Sequence, residues 1–191
     1  MTTELFNAVS AGDLAKAHSL LRNGADLNCR NDEGMTLLMR AAGLGKLGMV
    51  EMLLQMGANV KEKDAQGWTA LMKALFNHEL NRGFPEVVSA LIAAGADVET
   101  GIGYGVRPLM LAAGYGEAGV IEVLLAAGAD VHAKNEGGRT ARMMAEAKDY
   151  VEVINLLYQA EVSLGDSTKG KCATRTTPEV NVVKFVRNPG R

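Results

Sequence analysis

The sequence predicts an all-α fold: a solenoid of stacked helix-turn-helix units with β-hairpin-like loops between them. Three observations predict it. Glycines recur in three parallel ladders, apolar stripes recur in step with them, and polar turn residues fall at one fixed place between the stripes. The length of 191 residues fits one domain or slightly more, and an apolar share of 48% suffices for a buried core.

Twelve of the 22 glycines make up the ladders. The first is Gly12, Gly45, Gly83 and Gly116; the second is Gly24, Gly57, Gly95 and Gly128; the third is Gly34, Gly67, Gly105 and Gly138. Each climbs by 33, 38 and 33 residues, so all three share one phase and one irregular step. The five extra residues of the middle step are assigned to an insertion, His78-Glu79-Leu80-Asn81-Arg82. It is expected to lengthen the link between the two helices of its unit, extending the first by a turn before Gly83 and Pro85.

The elements follow in chain order. The first unit, about residues 1–33, points Leu5, Leu20 and Leu21 inward and carries Lys16, His18 and Arg22, as an end unit of a stack requires. The units at about 34–66, 67–104 and 105–137 each open with a short helix whose packing side is small: Leu38, Ala41, Ala42; then Leu71, Ala74, Leu75; then Leu109, Ala112, Ala113. A longer helix follows, with an apolar stripe at i, i+3, i+4 spacing. The stripe is Val50, Leu53, Leu54; then Val88, Leu91, Ile92; then Ile121, Leu124, Leu125. Ile154, Leu157 and Tyr158 repeat it in the fifth unit, about 138–165. A first-ladder glycine separates the two helices, and a second-ladder glycine ends the longer one in left-handed backbone. The third ladder sits in polar turns such as Asn31-Asp32-Glu33-Gly34. In the fifth unit Asp149, Glu161 and Lys171 occupy the ladder steps. With Glu146, Lys148 and Glu152 nearby, this unit reads as the second cap, with no neighbour missing. Gly43, Gly48, Gly114 and Gly119 fall in or beside helices outside the ladders. Each costs about 1 kcal/mol against alanine if helical, which makes the fourth unit the expected soft point.

Residues 166–191 leave the pattern. Six basic residues stand there against Asp166 and Glu179, a net +4 that leaves −6 for residues 1–165 out of the chain's −2. The tail is expected to be flexible. Its stretch Val180-Asn181-Val182-Val183-Lys184-Phe185-Val186 is rich in β-formers, a candidate to fold back on the acidic body or to pair with a partner.

The repeat resembles a known family, the ankyrin repeat. The resemblance rests on Thr69-Ala70-Leu71-Met72, on Asn23-Gly24-Ala25-Asp26-Leu27-Asn28, on Ala94-Gly95-Ala96-Asp97-Val98 and on Ala127-Gly128-Ala129-Asp130-Val131. The Gly-x-Thr turns at Gly34, Gly67 and Gly138 and the 33-residue period support it, over roughly residues 1–165 in five units. The family's Thr-Pro-Leu-His motif is nowhere intact. Its proline survives only as Pro108, after Arg107, and its histidine position holds Met39, Met72, Met110 and Met143. The resemblance implies helix-to-turn hydrogen bonds from that threonine and histidine, and these substitutions weaken the expectation. Methionine is expected to fill space between units instead.

The resemblance implies protein binding through a concave surface, and it implies which residues make contact. The residue before the threonine gives Met35, Trp68, Val106 and Arg139. The positions after the first helix's alanines give Leu44, Phe76, Asn77, Tyr115 and Lys148, and Tyr104 joins from a loop tip. Aromatic, methionine and arginine side chains in one strip are what interface cores favour.

Other chemistry finds little support. His18, His78 and His132 lie in different units without partners at ligand spacing, and each reads as a solvated surface histidine. Cys29 and Cys172 form no CxxC site or disulfide framework and read as reduced cytosolic thiols. Gly101-Ile102-Gly103-Tyr104-Gly105 has the wrong spacing for a phosphate loop and reads as a loop tip. No catalytic residues, metal ligands or cofactor are expected, so the chain does not read as an enzyme. No apolar run approaches a membrane span, no secretory signal is visible, and the near-neutral charge argues against nucleic acid. A cytoplasmic monomer that binds one protein is the leading expectation. A regulatory or inhibitory subunit of a cognate enzyme or toxin, or a secreted effector that binds a host protein, is the alternative.

Overall fold

A computed structural model describes residues 2–167. The tail expected over 166–191 therefore lies, from residue 168 onward, outside the described residues. Among the described residues five helix pairs follow one another. They are α1 Thr2–Ala11 with α2 Leu14–Arg22, and α3 Leu37–Gly43 with α4 Leu47–Gln55. Next come α5 Ala70–Leu75 with α6 Pro85–Ala93, α7 Pro108–Tyr115 with α8 Ala118–Ala126, and α9 Ala141–Glu146 with α10 Val151–Ser167. The first helices of the pairs, α1, α3, α5, α7 and α9, pack in one row, and α2, α4, α6, α8 and α10 in a second row behind them. The core is the continuous layer between the rows.

One hydrogen bond builds every pair. The residue ahead of the second helix donates its N–H back to the first: Asp13 to Ala8, Lys46 to Ala41, Glu117 to Ala112 and Tyr150 to Ala145, at 2.9–3.2 Å. Each spans five residues. In the third pair Phe84 makes the same bond to Ala74, 3.0 Å, across ten. The insertion is thus looped out of the register. It does not extend α5, which stops at Leu75; that expectation is corrected. Asn77 and Arg82 instead bridge each other's backbones, 2.8 and 3.3 Å, and close a small hairpin.

The glycine ladders mark left-handed backbone. Among the described residues eleven glycines have positive φ, all of them ladder members. The exception is Gly83, where an added Cβ would lie 2.4 Å from the Leu75 carbonyl oxygen and 2.8 Å from Val120. There glycine answers close approach, not chain reversal. In the fifth pair Asp149 takes the left-handed step itself, at φ 57°. At the ends of α2, α4, α6 and α8 two N–H groups turn back, as in Gly57 to Leu54 (3.0 Å) and Ala58 to Leu53 (2.9 Å). α10 has Glu161 where the stopping glycine belongs, and it runs for 17 residues instead of 9.

Two readings of the core are corrected. The buried trio of the longer helices is Met49, Val50, Leu53; then Val87, Val88, Leu91; then Val120, Ile121, Leu124. Leu54, Ile92 and Leu125 are only half-buried at the edge of that layer. In α10 Val153 and Leu157 are buried while Tyr158 is 57% exposed. The fifth unit is also not a fully polar cap. Met39, Met72 and Met110 are each 1% exposed, filling space between units as expected, but Met143 in the same register is 46% exposed. Threonine keeps its tie: the hydroxyls of Thr36, Thr69 and Thr140 accept the N–H of Met39, Met72 and Met143 at 3.3–3.4 Å. Each such cap is worth about 1 kcal/mol. In the second unit the Thr36 N–H also donates to Met39 Sδ at 3.4 Å, a bond from the position that the family's histidine would hold. Arg107 offers no side-chain cap, and Pro108 instead presets the first turn of α7. Gly43, Gly48, Gly114 and Gly119 all lie inside helices.

Candidate functional site

The candidate surface is built from turns and short helices. Four five-residue turns, 31–35, 64–68, 102–106 and 135–139, close with the first N–H donating to the fifth carbonyl at 2.9–3.1 Å. In three of them the first side chain accepts the fifth N–H as well: Asn31 from Met35, Asp64 from Trp68 and Asn135 from Arg139, at 2.8–2.9 Å. Short Asn and Asp side chains form such turns readily. The remaining turn begins with Ile102, lacks this tie, and puts Tyr104 in left-handed backbone at φ 63°. These turns set Met35, Trp68, Val106 and Arg139 at equivalent places, one per unit.

Three depressions merge along this row. One of about 490 Å³ lies between the first two units, lined by Phe6, Asn7, Arg30, Met35 and Arg40 among others. The next, about 470 Å³, shares Met35 and Arg40 and continues over Met39, Leu44, Lys73, Phe76, Asn77, His78 and Glu79. The third, about 260 Å³, shares Lys73, Phe76 and His78 and ends on Trp68, Met72 and Tyr115. The result is one groove across four units. It brings together six of the ten contact residues expected from sequence: Met35, Leu44, Trp68, Phe76, Asn77 and Tyr115. The other four stand outside its lining. Tyr104 is 80% exposed on its loop tip, Val106 is half-buried, and Arg139 and Lys148 are exposed towards the C-terminal end.

The aromatic end of the groove is preassembled. Phe76 and Tyr115 stack at 4.4 Å with planes 5° apart, and His78 sets its edge against both, at 4.9 and 5.5 Å. Offset and edge contacts of this kind are worth about 0.5–1.5 kcal/mol beyond the area they bury. His78 was read from sequence as a solvated surface side chain. It is exposed, but the inserted hairpin delivers it to the groove, and no repeat register signals that placement. Asn77 anchors the hairpin. Its Nδ2 donates to the Gly43 carbonyl at 2.6 Å and its Oδ1 accepts the Leu80 N–H at 2.8 Å, so its amide is spent on structure.

Trp68 is held by charge. Lys73 Nζ sits 5.2 Å from its ring centroid and 2.7 Å from Asp64 Oδ2. Asp64 is buried, and its Oδ1 accepts N–H groups from Gln66 (3.0 Å) and Trp68 (2.8 Å). Burial pushes the Asp64 carboxyl up. The Lys73 ammonium and the two backbone N–H groups outweigh that and hold it below its ordinary value. Neither Lys73 nor Asp64 was singled out from sequence. The turn role of Asp64 is legible there, but its partner nine residues later is not.

Among the described residues, no group of three or more His, Cys, Asp or Glu side chains converges as metal ligands would. No helix among them is long and apolar enough to cross a membrane. Burial and the nearby Asp26 push the half-buried Cys29 thiol up, which disfavours the reactive thiolate.

A comparison with curated proteins found none that matches this chain. The family model described as ankyrin repeats (3 copies) matches residues 5–101 and again residues 80–168. Those two spans cover all five helix pairs, the four turns and the groove between them: the chain belongs to the ankyrin repeat family.

Proposed function

We propose that this chain binds a protein partner in the groove along its short helices, with Trp68, Phe76, His78 and Tyr115 as the anchoring cluster. Ankyrin repeats are in general protein–protein interaction modules, typically without catalysis. The observation that carries the reading is the groove itself. It holds the single tryptophan of the chain beside a stacked aromatic pair, all half-buried and none part of the fully buried core. Half-buried aromatic side chains in a preformed depression lose little conformational freedom on binding and supply much apolar area. Tyr104, Val106, Arg139 and Lys148 are proposed as rim contacts for a partner broad enough to overrun the groove.

The test begins with capture from a lysate of the source organism and continues with the captured protein in pure form. Titrated against the wild-type chain and Trp68→Ala, it is expected to bind the variant more weakly by more than about 1 kcal/mol, roughly fivefold in Kd. Urea unfolding of the variant is expected to change by less. Unchanged affinity per folded molecule would remove the groove from the interaction.

A further inference from the structure

The C-terminal end of the stack exposes apolar side chains at positions that the inner units bury wholly or in part. Met143 stands where Met39, Met72 and Met110 are sealed by the following unit, yet it is 46% exposed. Ile154 is half-buried where Ile121 is fully buried. Along one face of α10, Val151, Ile154, Tyr158 and Val162 fall within less than half a turn of one another, and Val151, Tyr158 and Val162 are 66%, 57% and 52% exposed. Three apolar side chains this exposed on one face, with an exposed methionine in the same end pair, are unlike the scattered singles of an ordinary surface. None of these side chains lines the groove.

We propose that the chain's own C-terminal segment, Val180–Val186, covers this end face. Three arguments favour that occupant. The first is reach: α10 carries the described chain to Ser167 at this same end, and twelve residues separate Ser167 from Val180. Twelve residues span up to about 40 Å, more than the roughly 25 Å length of α10 itself. The second is charge. Between Ala141 and Leu164 the fifth unit carries Glu146, Asp149, Glu152 and Glu161 against Arg142 and Lys148. Residues 168–191 carry six basic side chains against Glu179 alone. The third is composition: Val180, Val182, Val183, Phe185 and Val186 bring apolar surface next to Lys184 and Arg187, which suits an apolar face on a unit of net negative charge, where Arg142 already pairs with Glu146 and Glu161 and leaves Asp149 and Glu152 against Lys148. A tethered segment meets its site at millimolar effective concentration, so even weak docking is well populated.

Met143 reports the cover. Full-length wild type and a full-length Val183→Asp/Phe185→Asp variant are exposed to dilute hydrogen peroxide, and oxidation at each methionine is followed by fragment-ion mass spectrometry. Both substitutions lie outside the repeats, so the stack itself is preserved, and buried Met39 and Met72 serve as the check of that. Met143 is expected to oxidise about fivefold more slowly in the wild type, the ratio for a face covered four-fifths of the time. The difference is expected to shrink at high salt. Equal Met143 rates in the two proteins would overturn the proposal. So would protection that grows with protein concentration alongside a dimer in sedimentation, because the cover would then be a second copy.

Discussion

Asp64 is the one charged side chain buried among the described residues, and it carries a pH prediction. Its folded-state pKa lies below the ordinary carboxylate value because Lys73 and two backbone N–H groups favour the charged form more than burial opposes it. The sign follows from linkage. The unfolded chain binds the proton more readily, so this group adds stability above the ordinary value of 3.8, and the contribution fades as pH falls through the lower folded value. Asp64→Asn keeps an acceptor for the two N–H groups but removes the charge facing Lys73. Lys73 is 26% exposed and can turn to water, which limits the cost to about 1–2 kcal/mol at pH 7. Urea midpoints should therefore separate wild type and variant at pH 7 and draw together near pH 3. An equal gap at both values would mean that packing, not charge, holds the turn. The same scale shows what sequence makes legible. Positive-φ glycines are visible because the requirement is local to one residue. The shift of the buried stripe from Leu54 to Met49 is not visible, because Val50 and Leu53 fit a helical stripe with either neighbour.

Within elements, the glycines outside the left-handed positions separate two kinds of constraint. Gly83 joins the hairpin to α6 with the Leu75 carbonyl and Val120 pressed against it, so Gly83→Ala must displace backbone. A loss of about 1–3 kcal/mol is expected, with exchange rising in α5 and α6. Gly114 sits inside α7 with no atom within 4 Å of an added Cβ and without positive φ. Gly114→Ala is expected to add about 0.5–1 kcal/mol, because alanine is the better helix former. Thermal melts of the two variants should move in opposite directions. A loss in Gly114→Ala would mean that α7 needs the freedom of glycine. The hairpin shows where sequence reading stops at this scale. Its position is legible from the 38-residue step, but its conformation is not. It depends on Asn77 reaching the Gly43 carbonyl of the preceding unit, 34 positions earlier. That contact exists only once the units stack.

Across the whole molecule, the repeated bonds and the shared core make each unit depend on its neighbours and little else. The units are not equivalent in that dependence. Leu53 lies in the second pair, whose α4 packs against both α2 and α6, whereas Leu157 lies in α10, which among the described residues packs against α8 and α9 alone. Both leucines are 0% exposed, so each truncation to alanine removes a similar side chain from full burial, at about 2–5 kcal/mol. Distance along the stack should separate their effects. Leu53→Ala sits between neighbours on both sides and is expected to lower hydrogen-exchange protection in α1 through α6 together. Leu157→Ala is expected to open α9 and α10 and to leave α3 and α4 near wild-type protection, since opening the end pair breaks one interface and an inner pair two. The fourth pair carries Gly114 and Gly119 inside its helices, so loss of protection should spread into α7 and α8 before it reaches α5. A uniform fall in protection across all five pairs in Leu157→Ala would show that coupling between units exceeds the stability of any single pair. The stack would then unfold as one cooperative body, and a partner bound at the groove would stabilise its far end as strongly as the units it touches.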